Sequence, residues 1–223
     1  MPGTITALVA QQKNKERVNV YLDGEFAFGL AAIEAVRLKR GQVLSDADID
    51  RLRSADEAEK AHEKALRYLA NRPRSEWEVR QNLKKAGFEA ESVDRAVERL
   101  KSVALIDDAA FARYWVENRL RFNPRGAAAL RQELRRKGID RAVIDLVLKA
   151  VDLPDDAAAL QAALARADRY RQATRPEFVQ KLGAYLVRRG FDYAAAREAV
   201  NEAWRRIHPG ADAGNNPVDD IEE

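Results

Sequence analysis

Apolar residues recur at fixed distances from three glycines, each of which stands at the end of a predicted helix. The glycines are Gly87, Gly138 and Gly190, and each comes four residues after a leucine. A glycine just past a helix end adopts the left-handed conformation without strain, and that leucine touches the next apolar residue at such an end. The glycines are 51 and 52 residues apart. The pattern therefore predicts a unit of about fifty residues that occurs three times.

Five positions counted from the glycine are apolar in every unit. They lie eight and four residues before the glycine, and one, six and ten residues after it. This spacing supplies the buried stripe of one helix before the turn and of another after it. The fifteen residues are Val79, Leu83, Phe88, Val93, Val97, Leu130, Leu134, Ile139, Ile144, Leu148, Leu182, Leu186, Phe191, Ala196 and Val200.

Each unit is predicted to be a module of three helices. Ser45 and Ser75 are followed three residues later by Asp48 and Glu78, the arrangement of a capping box. The first helix runs from Ser45 to Leu69, and a break near residues 54–56 stays open. The later helices are predicted over 75–86, 90–102, 107–122, 125–137, 140–152, 155–172, 176–189 and 192–206.

The N-terminal residues follow a different pattern. Apolar and polar residues alternate over 18–22, which is the period of a half-buried strand. Asp23-Gly24 is a strong signal for a two-residue hairpin. With strands over 4–9 and 25–28, the pattern predicts a small antiparallel sheet, which needs a helix packed on it to be stable. A short helix over 31–38 is also expected.

The predicted fold class is mainly α, with tandem three-helix modules in an elongated array and a small N-terminal antiparallel sheet. Residues 210–223 contain five acidic residues and no basic ones, a composition typical of disorder. Such a tail is either a solvated end without a role or a regulatory segment that competes for basic surfaces. The predicted segments are 1–54 (sheet and helix), 55–104, 105–153 and 154–208 (modules 1 to 3), and 209–223 (disordered acidic tail).

Composition excludes several classes of function. The 223 residues include 39 basic and 36 acidic ones, a net charge of +3, which is only a mild hint of an anionic partner. There is no cysteine, and two histidines, both expected on the surface, are too few for a histidine-based metal site. No apolar run approaches a membrane span, and no signal peptide is evident. We expect a cytoplasmic protein with no cofactor, no metal and no enzymatic activity.

The strongest functional signal is cationic. Residues 119–141 contain eight basic residues against two acidic ones, a net charge of +6. Basic residues in a last helical turn complement the helix dipole, but this does not explain those in earlier turns and loops. We predict an anion-binding surface, for phosphates or for an acidic protein face. The candidate residues are Arg119, Arg121, Arg125, Arg131, Arg135, Arg136 and Lys137, with Lys84, Lys85, Arg188 and Arg189 at the matching turns.

Aromatic residues near these cations are expected to pack in the core. Phe111, Trp115 and Phe122 fall on one face of a helix. Trp77 and Trp204 receive the same interpretation, which is preferred over a stacking platform for nucleic-acid bases.

The middle unit resembles the RecX family of regulatory proteins. The resemblance rests on residues 105–115, on Arg119, Arg125-Gly126 and Leu130, and on the segments 133–134 and 137–139. Residues 18–26 resemble the N-terminal region of longer family members. The resemblance covers about residues 4–206. It implies a curved array of three-helix repeats that lies in the helical groove of the filament formed by the recombinase RecA on DNA.

The resemblance further implies a regulator that inhibits strand exchange and ATP hydrolysis by RecA during DNA repair and the SOS response. Expected partners are the RecA filament and, weakly and without sequence preference, single- and double-stranded DNA; the protein is expected to be a monomer. Two other functions stay open on the residues alone. One is a nucleic-acid-binding protein that acts without RecA, and the other is a helical-repeat adaptor for another protein.

Overall fold

The computed structural model describes residues 2–12, 14–151 and 155–209, which form two compact units that meet in sequence at Asp107 and Asp108. The strands are β1 (Gly3–Ala10), β2 (Arg17–Leu22), β3 (Glu25–Ala31) and β4 (Val43–Leu44). The helices of the first unit are α1 (Ala32–Ala35), α2 (Asp46–Leu69), α3 (Glu76–Lys85) and α4 (Ala90–Ser102). Those of the second are α5 (Asp108–Phe122), α6 (Ala127–Arg136), α7 (Arg141–Ala150), α8 (Asp155–Ala167), α9 (Arg175–Arg188) and α10 (Tyr193–Ile207), with a 3-10 turn at Asp168–Tyr170.

The N-terminal strands form an antiparallel sheet in the order β3-β2-β1-β4, which confirms the predicted sheet. Asp23 and Gly24 join β2 to β3 with φ angles of 49° and 94°, the positive values that a tight hairpin requires. Val20 and Leu30 are fully buried on the face that packs against the helices. β4 was not predicted, because a two-residue strand has no periodicity to recognise.

Helix α2 belongs to both parts of the first unit. Its first half contributes Ile49 to the core of the sheet, and its second half contributes Ala61 to the core of the first module. Arg17 of β2 donates two hydrogen bonds of 2.9 Å to the buried carboxylate of Asp56, which fixes the sheet on the helix. The helix is continuous through residues 54 and 55. The predicted boundary between these residues therefore lies inside a helix, and the domain boundaries stay a prediction.

Three modules of three helices follow one another, as predicted. Module 1 consists of the second half of α2 with α3 and α4, module 2 of α5 to α7, and module 3 of α8 to α10. Of the fifteen apolar positions counted from the glycines, fourteen are buried. The fifteenth, Phe88, is half-buried against the core of module 1. The register taken from the three glycines is therefore confirmed.

The second helix of each module ends in the same hydrogen-bonded turn. In module 1 the amide of Phe88 donates to the carbonyl of Leu83, and the amide of Gly87 donates to that of Lys84. The corresponding bonds are present after α6 and α9, and the three glycines have φ angles of 86°, 77° and 84°. These are the bonds of a Schellman motif, which explains the spacing of leucine, glycine and apolar residue.

Module 3 packs its outer helices through small side chains. The contact between α8 and α10 is lined by alanines, which allow the two backbones to approach closely. Phe178 and Trp204 lie beside this contact with their rings edge to face, 5.1 Å apart, so Trp204 is a core residue as expected. His208 stacks on Trp204 at 3.8 Å, and its Nε2 lies 2.9 Å from the carbonyl oxygen of Arg171. The expectation that His208 is an ordinary surface residue was therefore wrong.

Two predicted segments lie outside the described residues. They are the acidic tail over 210–223 and the junction between modules 2 and 3 at residues 152–154, which includes the predicted end of the helix over 140–152. The predicted helix over 31–38 is present but shorter, since α1 spans four residues.

Candidate cationic interface

The eleven candidate cations divide into two groups according to what their side chains contact. Six are exposed and form no ion pair with any residue that the structure describes; we call them the exposed cations. The other five, the engaged cations, are held by a carboxylate, a backbone carbonyl or the ring of Trp115, whereas within the described ranges the only ring contact of an exposed cation is that of Arg121 with the exposed Phe122. The exposed cations are Lys84, Lys85, Arg121, Arg135, Arg136 and Arg188. The engaged cations are Arg119, Arg125, Arg131, Lys137 and Arg189.

Glu133 on α6 is the centre to which two engaged cations are bound. Its buried carboxylate accepts a hydrogen bond of 2.7 Å from Nε of Arg119 and one of 2.8 Å from the indole nitrogen of Trp115. Nε of Arg125 lies 3.5 Å from the second carboxylate oxygen. Burial alone would raise the pKa of Glu133, but the bonds from Arg119 and Trp115 outweigh it and lower the pKa. Glu133 is therefore ionised at neutral pH, and it ties α5 and the following loop to α6.

Trp115 lies within this cluster and not in the centre of the core. The guanidinium of Arg119 lies 4.4 Å from the centre of its ring, and the amino group of Lys137 lies 5.0 Å from it. Cations held over an indole ring are attracted by its electron density. Trp115 packs against Phe111 on its inner side, as predicted, while its outer contacts are polar. Its ring is therefore occupied by the protein's own cations.

Phe122 is not a core residue, although the helical pattern placed it with Phe111. It is 68% exposed, and its only ring contact among the described residues is with Arg121, whose guanidinium lies 5.0 Å away. Phe122 is the final residue of α5. The angular position of a residue does not tell whether another element covers the last turn of its helix.

Arg189 joins module 3 to module 2 and is not free to meet a partner. Its guanidinium donates to the carbonyl of Pro124 at 3.0 and 2.8 Å and also to the side chain of Asn123. Its own carbonyl accepts a hydrogen bond of 3.0 Å from the amide of Gly126. Burial is the largest influence and lowers the pKa of Arg189, and the charge of Arg125 acts in the same direction.

Gly126 and Gly190 allow the backbones of the two modules to touch. A Cβ atom on Gly126 would lie well inside van der Waals distance of the backbone at Gly190 and Phe191. A Cβ on Gly190 would meet the backbone of Ala129. The C-terminal turn of α9 thus abuts the N-terminal end of α6, which places the negative end of one helix dipole near the positive end of the other.

Arg131 is the most weakly held of the engaged cations. Its Nε lies 3.4 Å from a carboxylate oxygen of Asp145, and both side chains are largely exposed. A pair with that exposure contributes little to stability. Arg131 is therefore more available than the other four.

One feature of the sequence could have predicted the cluster around Glu133, namely the position of this glutamate among many basic residues. Glu133 is the only acidic residue between Arg119 and Ile139. A lone carboxylate among seven cations attracts several of them if it is buried. No feature of the sequence could have predicted the backbone contact at Gly126, because that contact is made with another module.

The described residues form neither a cluster of metal ligands nor a helix that could span a membrane. In residues 2–12, 14–151 and 155–209, no three side chains of His, Asp or Glu come together as metal ligands would. Within the same ranges, every helix is too short or too polar to cross a membrane.

Models of known protein families match the N-terminal sheet region and all three modules of this chain. Residues 3–45 match the model of the regulatory protein RecX N-terminal domain. Residues 61–100, 107–148 and 154–200 match the first, second and third three-helix domains of RecX. The regulatory protein RecX of Listeria monocytogenes is 31% identical over 205 residues, which cover 89% of this chain and 75% of that protein. This chain belongs to the RecX family.

Other RecX proteins agree with this assignment. RecX of Bacillus licheniformis is 32% identical over 204 residues, which cover 89% of this chain and 76% of that protein. A crystal structure of a regulatory protein RecX superposes with a TM-score of 0.75 at 30% identity, covering 89% of this chain and 99% of that one. A crystal structure of RecX from Lactobacillus salivarius, 23% identical, supports the fold, with a TM-score of 0.59 over 67% of this chain and 97% of that one.

Proposed function

We propose that this protein binds the RecA–DNA filament in the cytoplasm and inhibits strand exchange and ATP hydrolysis by RecA. It acts by binding and not by catalysis. Membership of a family of regulatory proteins supports the proposal, because the RecX resemblance implies RecA as the partner. At the level of residues, the main support is the group of exposed cations, which lie at the ends of α3, α6 and α9 and, for Arg121, at the end of α5.

The exposed cations are the proposed contact residues. A cation that already binds a carboxylate must give up that contact before it can bind a partner, whereas an exposed one loses only water. Lys84 and Lys85 in module 1, Arg135 and Arg136 in module 2, and Arg188 in module 3 occupy matching positions three or two residues before the glycine. A repeated cation at a repeated position suits a partner that is itself a repeating polymer.

A protein that acts on DNA without RecA would be expected to place the third helix of a module in a groove, as other three-helix proteins do. In module 1, α4 does not suit that role. Its exposed cations are paired: Arg95 with Glu91 at 2.7 Å, and Arg99 with Glu59 at 2.6 Å. Asp94 also lies on α4, so that helix presents no net positive charge.

The experiment that tests the proposal measures the DNA-dependent ATPase activity of RecA while this protein is titrated. We expect inhibition by the wild type, and an inhibitory concentration about tenfold higher for the double variant Arg135→Glu, Arg136→Glu, since about 1.4 kcal/mol of binding corresponds to that factor.

The matched control is the double variant Arg141→Glu, Lys149→Glu. Both residues are exposed, both lie on α7 of the same module, and the change in net charge is identical. This control should inhibit like the wild type. A wild type that leaves RecA unaffected at every concentration contradicts the proposal. DNA binding without any effect on RecA would then favour the DNA-binding protein, and binding to neither would favour the adaptor.

A further inference from the structure

Trp77 of module 1 is a large aromatic residue that is exposed to solvent. It is 46% exposed, so the expectation that it packs in the core was wrong. Among the described residues it forms no ring contact, cation contact or hydrogen bond. Trp115 is occupied by Glu133 and two cations, and Trp204 by Phe178 and His208. Of the three tryptophans, Trp77 alone presents an open ring.

The exposed face of α3 combines this ring with positive charge. Trp77 and Lys84 are seven residues apart, which places them about 20° apart around the helix and about 10.5 Å apart along it. Lys85 follows at the end of the same helix, and both lysines are exposed without an ion pair in the described ranges. Gln81 lies between the ring and Lys84 on this face. We call Trp77, Gln81, Lys84 and Lys85 the α3 face.

The carboxylates near the α3 face do not cancel this charge. Glu76 is bound by Arg80 at 2.7 Å and by Lys101 at 3.2 Å. Glu78 caps its own helix and is paired with Arg72 at 3.1 Å. The α3 face therefore carries two uncompensated cations beside an open aromatic ring.

The other modules do not repeat the ring. Ten residues before the glycine, where module 1 has Trp77, module 2 has Ala128 and module 3 has Gln180, and both are exposed. The cations at the helix end recur, as Arg135 and Arg136 and as Arg188. The aromatic residue is thus a property of module 1 and not a requirement of the fold.

We infer that the α3 face binds single-stranded nucleic acid, with Trp77 stacked on a base and Lys84 and Lys85 on the adjacent phosphates. Every base offers a flat face to an aromatic ring, and the backbone offers an anion to each lysine, so this combination recognises a single strand without regard to sequence. Duplex DNA is a poorer ligand because its bases are stacked on each other. The inference deepens the proposed function, on which it rests for the expectation that DNA is a partner.

The test measures binding of a labelled oligothymidylate by fluorescence anisotropy, with no RecA present. Trp77→Ala should bind about tenfold more weakly, as expected when one base–aromatic contact is lost. Trp77→Phe keeps a ring and should bind within about threefold of the wild type. Tyr193→Ala removes an equally exposed aromatic residue from α10 and should bind like the wild type.

Two other measurements distinguish the contribution of base stacking on Trp77 from that of the charges of Lys84 and Lys85. The oligonucleotide should quench part of the tryptophan emission of the wild type, and that part should be absent in Trp77→Phe. For the double variant Lys84→Ala, Lys85→Ala, the slope of log affinity against log salt should become shallower by about 1.4, the value for two phosphates of a single strand.

The outcomes distinguish this inference from the proposed function. Equal affinity of the wild type and Trp77→Ala for the oligonucleotide overturns the inference. If that variant also loses inhibition of RecA, the α3 face contacts protein and the inference is equally overturned. Weaker DNA binding by Trp77→Ala, together with a wild type that never inhibits RecA, supports the inference while the proposed function fails.

Discussion

The second helices of modules 1 and 2 have the same length and the same C-terminal turn, yet they begin differently. The N-cap residue of α3 is Ser75, whose side chain forms a capping box with Glu78. The N-cap residue of α6 is Gly126, which has no capping side chain and against which the Gly190 turn packs. The apolar positions repeated in each module determine where its helices lie. Residues that differ between the modules, such as Ser75 and Gly126, make contacts that only one module has.

The exposed faces of the same two helices differ in a similar way. Both end in two exposed cations, but α3 adds Trp77 where α6 has Ala128. Conversely, α6 carries Glu133 where α3 has Asn82, five residues before the glycine, and only module 2 has the cluster around Trp115. Module 1 therefore leaves its aromatic ring open, and module 2 uses its own for internal contacts.

Among substitutions at the positions where modules 1 and 2 differ, Gly126→Ala should reduce the free energy of unfolding most. The added methyl group would collide with backbone atoms at Gly190, which cannot move like the end of a flexible side chain. We expect a loss of at least about 3 kcal/mol in the free energy of unfolding, because the two modules must separate or distort. Urea denaturation followed by circular dichroism measures it.

Two other glycines provide controls for that substitution. Gly87 has a φ of 86° and open space around it, so Gly87→Ala should cost only about 1–2 kcal/mol through left-handed strain. Gly183 lies within α9 with nothing near it, and Gly183→Ala should stabilise the protein by about 0.5–1 kcal/mol. A cost for Gly126→Ala no greater than that for Gly87→Ala would refute the backbone contact.

A smaller effect is expected for Glu133→Gln, which removes the charge at the centre of the Trp115 cluster. The loss should be about 2–3 kcal/mol near neutral pH, because a buried carboxylate with two donors is replaced by an amide. Asn82→Ala, at the same position in α3, should change stability by less than about 0.5 kcal/mol.

The stabilisation by Glu133 should depend on pH. The folded protein holds the pKa of Glu133 below its ordinary value of 4.5, so the carboxylate stabilises the native state above that pH. This stabilisation is lost as the pH falls through the lowered pKa. The stabilities of the wild type and Glu133→Gln should therefore converge in acid, and a constant difference down to low pH would show that charge is not the cause.

Module 1 should respond to acid at a higher pH than module 2, through His62. His62 is buried on α2, so the expectation that it lies on the surface was wrong. Burial first, and then the charge of Arg99, lowers the pKa of His62 from 6.5. Since the unfolded chain binds the proton more readily, stability is full above about pH 6.5 and declines as the pH falls toward the lowered pKa.

Hydrogen exchange of the amides of α3 and α4 at two pH values measures this response. Protection in module 1 should fall as the pH is lowered below about 6.5, and less so in His62→Gln. An identical fall in that variant would assign the response to another group. Protection in α6 over the same interval should change less, because Glu133 titrates only in stronger acid.

The fold could be predicted from the sequence because its signals are local. The buried positions of the modules recur at helical spacing, and Leu83, Gly87 and Phe88 specify a helix end within six residues. Asp23 and Gly24 likewise specify a hairpin. Each of these features depends on neighbours in the chain, and the structure confirms them.

The candidate site was predicted less well because exposure depends on distant elements. Arg135 and Arg189 look alike in the sequence, yet one is exposed and the other is bound to Asn123 and Pro124 of the preceding module. Trp77 and Phe122 carry the apolar character of core residues but lie where no described element covers them. Sequence spacing shows which face a side chain is on, not what packs against that face.

The most direct test of the proposed function is co-sedimentation of this protein with RecA filaments assembled on single-stranded DNA. We expect the wild type to bind filaments more tightly than DNA alone. Arg135→Glu, Arg136→Glu should bind filaments about tenfold more weakly, and Arg141→Glu, Lys149→Glu should bind like the wild type. Equal binding of the wild type to DNA with and without RecA, or equal binding of the two variants to filaments, would contradict it.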